Sequence, residues 1–431
     1  MNNRSRLLKL PSRRESSAGA AAGTTSQSGR IRLEAIALAV WGVVLAAIFV
    51  RVALHPERNS VFGVFRLAGE RWLHGEPLYP RAGQFLYSPL AAAIFSAFAR
   101  LPEPAGSLVW RAANMAPYLF LAYAWMRRTH RDASLARGIG WFVLLAFSWG
   151  NLNNGQASPL VIAFICTALW AAAGRRWNVA ACLIAGATYF KLYPLAFGLL
   201  LGVLYPRQIL WRLAVAITLL FLLSLLPQPA GYALAQYQAW FSSLGADSRR
   251  VTNGVGTWRD LWLLLRLVKV PVTVSQYAFI QGLGGVGVAV FCGWAQRIKR
   301  WEAGRLLYTL LALGSCWVVL LGPATELATY IFLAPAFTVA SVHLWKVRQG
   351  GFSPQQLTAC ALLSVSFVWL VVAEVLNAWV PAVRRSVPLH ALQPIGAAVF
   401  AAFVILWLLD DRWWLPSPGL PAPSSRLSEM N

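Results

Sequence analysis

The chain has 431 residues, of which 58% are hydrophobic and 12% are charged, and its formal net charge is +23. Because soluble domains carry about 25% charged residues, this composition excludes an ordinary soluble protein and predicts a polytopic helical membrane protein. The basic residues are scattered between apolar segments, which argues against nucleic-acid binding and fits the retention of basic loops in the cytoplasm.

The apolar segments predict an all-α membrane helix bundle with about twelve crossings. The crossings lie at residues 34–54, 106–126, 138–150, 157–173, 178–190, 192–205, 209–227, 275–295, 304–321, 324–345, 357–378 and 390–410. Segment 84–101 is shorter, so we expect an interfacial or re-entrant helix there. Segments 178–190 and 192–205 are each too short to cross alone. They are either half-helices around a wet cavity or one long span, which would reverse the orientation of everything before it.

Basic residues before the first crossing and after residue 126 place both termini in the cytoplasm. The stretch 1–33 is rich in Ser, Gly, Ala and Arg, and we expect a disordered cytoplasmic tail there. Residues 34–410 would form the transmembrane domain, followed by a second cytoplasmic tail at 411–431. Two long loops, 55–105 and 228–274, then fall on the outer face, together with most of the polar residues that lie between apolar segments.

The first outer loop contains a predicted amphipathic helix, which we expect to lie on the membrane. Its apolar residues recur at helical spacing, at Phe62, Phe65, Gly69, Trp72 and Leu73. Arg66 and Glu70 are four residues apart and either pair on the exposed face or present a carboxylate to a cavity. Glu70 is therefore a candidate general base, and Arg66 a candidate substrate-binding residue.

A polar run between two apolar segments contains Asn151, Asn154 and Gln156. Amide side chains both donate and accept hydrogen bonds, as the recognition of sugar hydroxyls requires. The alternative is a loop in which Asn and Gly serve turn geometry. Both interpretations stay open, and all three residues are candidate substrate-binding residues.

Lys191 is a single cation in an apolar context, followed by Tyr193 and Pro194. Polar and ionisable residues inside a membrane are costly and usually line a site. A compact ammonium group there is suited to a phosphate or a carboxylate. The alternative is a side chain that extends to the membrane interface. The functional interpretation makes Lys191 and Tyr193 candidate binding residues.

Glu326 follows Gly322-Pro323 at the start of an apolar segment. A carboxylate in such surroundings suits a general base, and the alternative is an ion pair with an Arg of another helix. The second outer loop carries Arg249 and Arg259. Arg binds phosphate in a bidentate manner, so these two residues indicate an anionic lipid-linked substrate or, more generally, phospholipid headgroups.

No spacing typical of a metal site or of a nucleotide-binding loop is present, and the five cysteines show no CxxC pattern. The sequence therefore indicates no metal site and no nucleic-acid partner.

Four motifs follow one another in an order that resembles glycosyltransferase family 87, the polyprenol-phosphate-mannose-dependent mannosyltransferases of the GT-C superfamily. The motifs are Gly75-Glu76-Pro77-Leu78-Tyr79, Phe85-Leu86-Tyr87-Ser88-Pro89-Leu90, Asn154-Gly155-Gln156 and Lys191-Leu192-Tyr193-Pro194. The resemblance covers roughly residues 55–205, with a weaker likeness from 228 to 345. It implies that no nucleotide sugar and no dissociable cofactor is needed. It adds Tyr79 and Tyr87 to the candidate substrate-binding residues.

The resemblance implies an inverting transfer of a sugar, with mannose expected, from a polyprenyl phosphate to a lipid or glycan hydroxyl. The reaction would occur on the outer face of the bacterial cytoplasmic membrane. A carboxylate of the first outer loop would deprotonate the hydroxyl, and cations would stabilise the departing phosphate. The chain departs from the family pattern in that the expected acidic position falls at about Val61. The base would then be Glu70, Glu326 or Glu57.

Two other classes of function remain. A flippase or transporter for lipid-linked sugars would show polar residues at both faces and inverted repeats, and neither is apparent in the sequence. A non-catalytic family member that binds lipid carriers would explain the missing acidic residue.

Overall fold

The computed structural model describes residues 16–80, 85–129, 133–246, 258–322, 325–347 and 353–413. Within these ranges the chain is helical and contains no strand, so the predicted all-α bundle is confirmed. The helices, numbered in chain order, are α1 (Ser16–Leu54), α2 (Phe62–His74), α3 (Pro89–Ala99), α4 (Glu103–Thr129), α5 (Ser134–Asn154), α6 (Ser158–Ala173), α7 (Trp177–Phe190), α8 (Tyr193–Leu204), α9 (Pro206–Leu225), α10 (Ala230–Ala246), α11 (Leu261–Leu267), α12 (Val274–Arg297), α13 (Ala303–Leu321), α14 (Ala334–Val347), α15 (Pro354–Trp379), α16 (Pro381–Arg385), α17 (Val387–His390) and α18 (Leu392–Leu409). Two 3₁₀ segments occupy Leu327–Leu333 and Asp411–Trp413.

Seven helical segments of the described chain are long and apolar enough to cross a membrane. The other predicted crossings correspond to α4, to α5 and to shorter apolar helices such as α6, α7 and α8. α1 begins inside the predicted tail 1–33, whereas residues 1–15 and 414–431 lie outside the described part. The outer loop predicted at 228–274 contains two helices, α10 and α11.

Helices of the bundle differ in how much of their surface is buried. In the most apolar stretch of α13, 72% of the residues are buried, whereas in the corresponding stretch of α12 only 11% are buried. Lipid contains no water to satisfy polar groups, so the surfaces that face lipid must be apolar. Helices whose apolar surfaces are exposed therefore belong at the lipid-facing periphery. The centre of the bundle therefore contains α13, which packs against α18, α8 and the first 3₁₀ segment.

The break between α7 and α8 supports the interpretation of 178–205 as two separate helices. Lys191 follows α7 in an extended conformation, with φ −146° and ψ 142°. Pro194 lies in the first turn of α8, where its missing N–H costs no helical hydrogen bond. Lys191 thus lies, partly buried, at a helix junction and not on a continuous helix face.

The amphipathic helix predicted in the first outer loop is α2. Its buried residues are Phe62, Phe65, Ala68, Gly69 and Trp72. Gly75 ends the helix in the left-handed region, at φ 69°. This face packs on α3, where Phe65 stacks on Phe95 with ring centroids 4.4 Å apart.

The close approach of α2 to α3 requires glycine at position 69. A Cβ atom there would lie 2.7 Å from the backbone carbon and oxygen of Phe95. Gly69→Leu is therefore expected to destabilise the protein by about 1–3 kcal/mol through overpacking. Gly63→Leu on the same helix is the matched control, because a Cβ atom at Gly63 meets nothing within 4 Å. Thermal unfolding in detergent would measure both, and an equal melting temperature for the two variants would contradict this packing.

Candidate functional site

The polar run between α5 and α6 forms a tight turn. α5 ends at Asn154, and Gly155 adopts the left-handed conformation at φ 74°, with its N–H bonded to the carbonyls of Asn151 and Leu152. The N–H of Gln156 also bonds to the Asn151 carbonyl, at 3.1 Å. Asn151 is buried, and its side-chain oxygen has no hydrogen-bond partner among the residues described. The segment therefore combines turn geometry with buried amide groups, one of which keeps an unpaired side-chain oxygen.

Helix α4 holds this turn in place through three buried side chains. Asn114 donates to the Gln156 carbonyl at 2.6 Å and accepts from the N–H of Leu160 at 2.9 Å. The indole of Trp110 donates to the Gly155 carbonyl at 2.8 Å. These residues carry no recognisable signal in the sequence, because they lie inside a long helix without a motif.

Arg111 of α4 completes the contacts with the turn. It donates to the Asn153 carbonyl at 3.0 Å and to the Ser60 hydroxyl at 3.2 Å, and its side chain is fully buried. The Asn154 carbonyl accepts the N–H of Val61 at 3.0 Å, which brings the start of α2 to the same place. The start of α2 at Val61 is thus next to Ser60, which a buried guanidinium contacts.

Asn114→Leu is expected to lower the free energy of unfolding by about 2–4 kcal/mol, because a buried carbonyl and a buried N–H both lose their partner. Leu has the same branched arrangement of four side-chain heavy atoms as Asn and is not smaller, so lost hydrogen bonds and not a cavity would be the cause. Asn178→Ala, which removes an exposed contact to Arg212, is the control and should cost under about 1 kcal/mol. Unfolding midpoints of the two purified variants would test this, and equal midpoints would mean that α4 does not hold the turn.

Lys191 points at the turn that α4 holds. Its ammonium group donates to the hydroxyl of Ser158, at the start of α6, at 3.0 Å. The side chain is partly buried. Ser158 itself is fully buried, so the ammonium is anchored at one fixed point of the bundle.

Tyr87 approaches the same turn from the first outer loop. Its hydroxyl donates to the Gln156 side-chain oxygen at 3.3 Å, and its carbonyl accepts the hydroxyl of Tyr79 at 2.7 Å. Ser88 donates to the Tyr189 carbonyl at 2.6 Å, which ties this loop to the end of α7. Burial raises the pKa of the Tyr87 phenol, and Glu326 and Tyr193 add to the shift, so the group remains a hydrogen-bond donor at neutral pH.

Glu326 reaches this cluster from the start of the first 3₁₀ segment. Its carboxylate accepts the N–H of Thr329, while the Thr329 hydroxyl accepts the N–H of Glu326 at 3.1 Å. The carboxylate lies close enough to interact electrostatically with Lys191, with Tyr87 and with Arg259. Three residues that are far apart in sequence therefore converge on one carboxylate.

Arg259 is buried and held from four sides. Its guanidinium donates to Gln393 at 2.8 Å and to Asn377 at 2.7 Å. Its backbone N–H donates to the Thr325 carbonyl at 2.8 Å, and its carbonyl accepts the Tyr330 hydroxyl at 2.6 Å. Burial lowers the pKa of the guanidinium, and the neighbouring Glu374, Tyr330 and Glu326 oppose this shift. Arg259 thus places a fixed positive charge that interacts with Glu374 and, more weakly, with Glu326.

The structure places the other candidate residues outside this cluster. Glu70 is ion-paired with Arg66 at 2.9 Å, and Arg66 also faces Glu103 at 3.6 Å. The Glu70 side chain is 39% exposed, as the pairing interpretation predicted. Arg249 lies outside the described residues.

Together these side chains form the Lys191 cluster, which consists of Tyr87, Gln156, Ser158, Lys191, Tyr193 and Glu326. No group of three or more His, Cys, Asp or Glu side chains in the described part of the chain is arranged to hold a metal ion. The cluster instead combines one cation, one carboxylate and several hydroxyl and amide groups. Such a set can bind an anion and accept a proton from a hydroxyl.

The fold and the site together define the class of protein. It is an all-α membrane bundle with a polar cluster at the junction of several short helices. The model of glycosyltransferase family 87 matches residues 85–323, and the chain belongs to this family. The match includes most of the Lys191 cluster and ends just before Glu326.

One solved structure with a similar fold is the crystal structure of ArnT from Cupriavidus metallidurans bound to undecaprenyl phosphate. The two chains are 17% identical, the similarity covers 85% of this chain and 76% of ArnT, and the TM-score is 0.40. No curated protein matches the sequence.

Proposed function

We propose that the chain is an inverting glycosyltransferase of the bacterial cytoplasmic membrane. It transfers a sugar, with mannose as the first candidate, from a polyprenyl-phosphate-linked donor to a hydroxyl of a lipid or glycan acceptor on the outer face. Membership of family 87 supports the reaction class. The observation that carries the proposal is the convergence of Lys191 and Glu326 in one cluster.

In the proposed reaction the acceptor hydroxyl attacks the anomeric carbon of the donor sugar. Glu326 takes the hydroxyl proton, and the bond between the anomeric carbon and the phosphate oxygen breaks, with its electron pair staying on the phosphate. Attack from the side opposite the phosphate inverts the configuration. Lys191 stabilises the negative charge that develops on the departing phosphate. The hydroxyl of Ser158 keeps the ammonium group in position.

The remaining cluster residues are suited to hold the sugar and the phosphate. The hydroxyl of Tyr87 and the amide of Gln156 already bond to each other and can exchange that contact for sugar hydroxyls. Tyr193 packs edge-on against Phe332, with ring centroids 6.1 Å apart, and is fixed beside the phenol of Tyr87. Arg259 is a positioning residue, because it orients the chain around Glu326 through its backbone contacts.

Glu326 is preferred to Glu70 as the base for a geometric reason. Glu70 is paired with Arg66 on the exposed side of α2, whereas Glu326 lies within electrostatic range of the ammonium that would hold the leaving group. A base and a leaving-group cation must lie on either side of the same anomeric carbon. A non-catalytic lipid-binding role is the second candidate, because Val61 occupies the place of the family's acidic residue.

The test is transfer of radiolabel from polyprenyl-phosphate-mannose to membrane lipids and glycans by the purified protein in proteoliposomes. The other arms use polyprenyl-phosphate-glucose, omit the protein, or add EDTA. We expect label to be transferred with or without EDTA. The sugar in the labelled product should have the opposite anomeric configuration to the sugar in the donor. Donor binding without turnover for every sugar would instead favour the non-catalytic role.

A further inference from the structure

A second feature lies at the other end of the bundle. A groove of about 460 Å³ runs between α4, α6, α13 and α14. Its floor consists of buried side chains, among them Met126, Leu144, Leu169 and Tyr308. This volume is in the usual range for sites that take small organic ligands. The Lys191 cluster contributes no residue to it.

The direction of α6 separates the groove from the Lys191 cluster. α6 begins at Ser158, which contacts Lys191, and the groove is bounded by Trp170 and Ala173 at its far end. With a rise of 1.5 Å per residue, this edge lies about 18–22 Å along the helix axis from the cluster. The rim of the groove and the Lys191 cluster are therefore at opposite ends of α6, while the inner end of the groove reaches Ile162, about one turn after Ser158.

The rim of the groove is exposed and carries a cation. Arg128, Trp170, Ala173 and Gly304 are all exposed at this edge. The guanidinium carbon of Arg128 lies 5.8 Å from the centre of the Trp170 ring. The neighbouring Arg127 faces Glu34 at 3.7 Å, whereas in the described part of the chain no carboxylate forms an ion pair with Arg128. An apolar groove thus ends at a guanidinium whose charge is available.

We propose that this groove is a binding site for one anionic phospholipid of the surrounding bilayer. An acyl chain would lie along the apolar floor, and the headgroup phosphate would contact Arg128 at the rim. Basic pockets between transmembrane helices bind anionic headgroups in this manner. The charge of the rim selects an anionic lipid, and the apolar lining selects a chain over a free phosphate.

The polyprenyl donor is a poorer occupant on the same evidence. Its phosphate is needed at the Lys191 cluster, about 18–22 Å away along α6, so the donor would leave Arg128 without an anion. A phospholipid with its headgroup at this end satisfies both the cation and the apolar floor. The exclusion of the donor rests on the proposed function, whereas the match between Arg128, the apolar floor and a phospholipid does not.

The experiment is native mass spectrometry of the full chain after exchange into phosphatidylglycerol or phosphatidylcholine with the same acyl chains. One phosphatidylglycerol per chain should survive, at least about fivefold more than phosphatidylcholine, since one basic residue contributes that much near an anionic headgroup. Arg128→Glu should abolish this preference. Ala122→Phe, which fills the groove, should lower retention of both lipids.

Arg207→Ala is the matched control, because Arg207 is exposed at the start of α9 and does not line the groove. It should retain the preference of the wild type. Arg128→Glu changes a surface residue, so it tests the proposal even where Ala122→Phe does not fold. Equal retention of the two lipids by the wild type would overturn the proposal. An unchanged preference for phosphatidylglycerol in Arg128→Glu would also overturn it. So would displacement of phosphatidylglycerol from the wild type and from Arg207→Ala by an equimolar polyprenyl phosphate.

Discussion

Lys191→Met is expected to lower kcat for sugar transfer by about 10²–10³-fold, the loss typical of removing one group that stabilises charge in a transition state. The ammonium group would contact the phosphate most strongly as the glycosidic bond breaks. Donor affinity should therefore change less than kcat. The chain should still fold, because methionine keeps the length of the side chain and removes a charge that is costly to bury.

The measurement is initial rate against donor concentration in proteoliposomes, with kcat and KM reported separately. Lys191→Arg keeps the charge but replaces a compact ammonium with a longer planar group, so partial activity is expected. Lys269→Asn is the control: Lys269 is exposed and has φ 58°, a conformation that Asn tolerates. Full activity of Lys191→Met would contradict a role of Lys191 in the mechanism. Equal losses of activity in Lys191→Met and in the control Lys269→Asn would do the same.

Parts of the site that coincide with breaks in helical pattern were predictable from the sequence. The turn at Gly155 and the junction at Lys191 both interrupt apolar runs with Gly, Pro or a charge, and the structure places both at helix ends. The amphipathic period of α2 likewise predicted its buried face, because helical spacing directly determines which side chains share a face.

Contacts across the bundle were not predictable in the same way. Asn114 contacts Gln156 from 42 residues away, and Arg259 contacts Gln393 from 134 residues away. No local preference of either residue specifies its partner, since these pairs depend on how whole helices pack. The proximity of Glu326 to Lys191 is of the same kind. The sequence therefore offered several carboxylates as possible bases, and only the packing separates the paired Glu70 from Glu326.

Glu326→Gln is expected to lower kcat by about 10²–10⁴-fold, the usual contribution of a positioned general base. Gln has nearly the shape of Glu, and its side-chain oxygen can still accept the N–H of Thr329. The start of the 3₁₀ segment should therefore persist, and KM for the donor should change little. Glu70→Gln is the matched control and should stay near wild-type activity, because an exposed pair four residues apart contributes only about 0.3–0.5 kcal/mol.

A second acceptor distinguishes loss of a base from loss of structure. If Glu326 removes the acceptor proton, an acceptor whose hydroxyl is made more acidic by a neighbouring fluorine depends less on the base. The defect of Glu326→Gln should then shrink with the fluorinated acceptor, while a variant with a merely disturbed fold would lose the same factor with both acceptors. A large loss in Glu70→Gln, with Glu326→Gln near wild type, would place the base in the first outer loop. That result would separate the proton acceptor from the residues that surround Lys191, because the Glu70 carboxylate is held by Arg66 on α2.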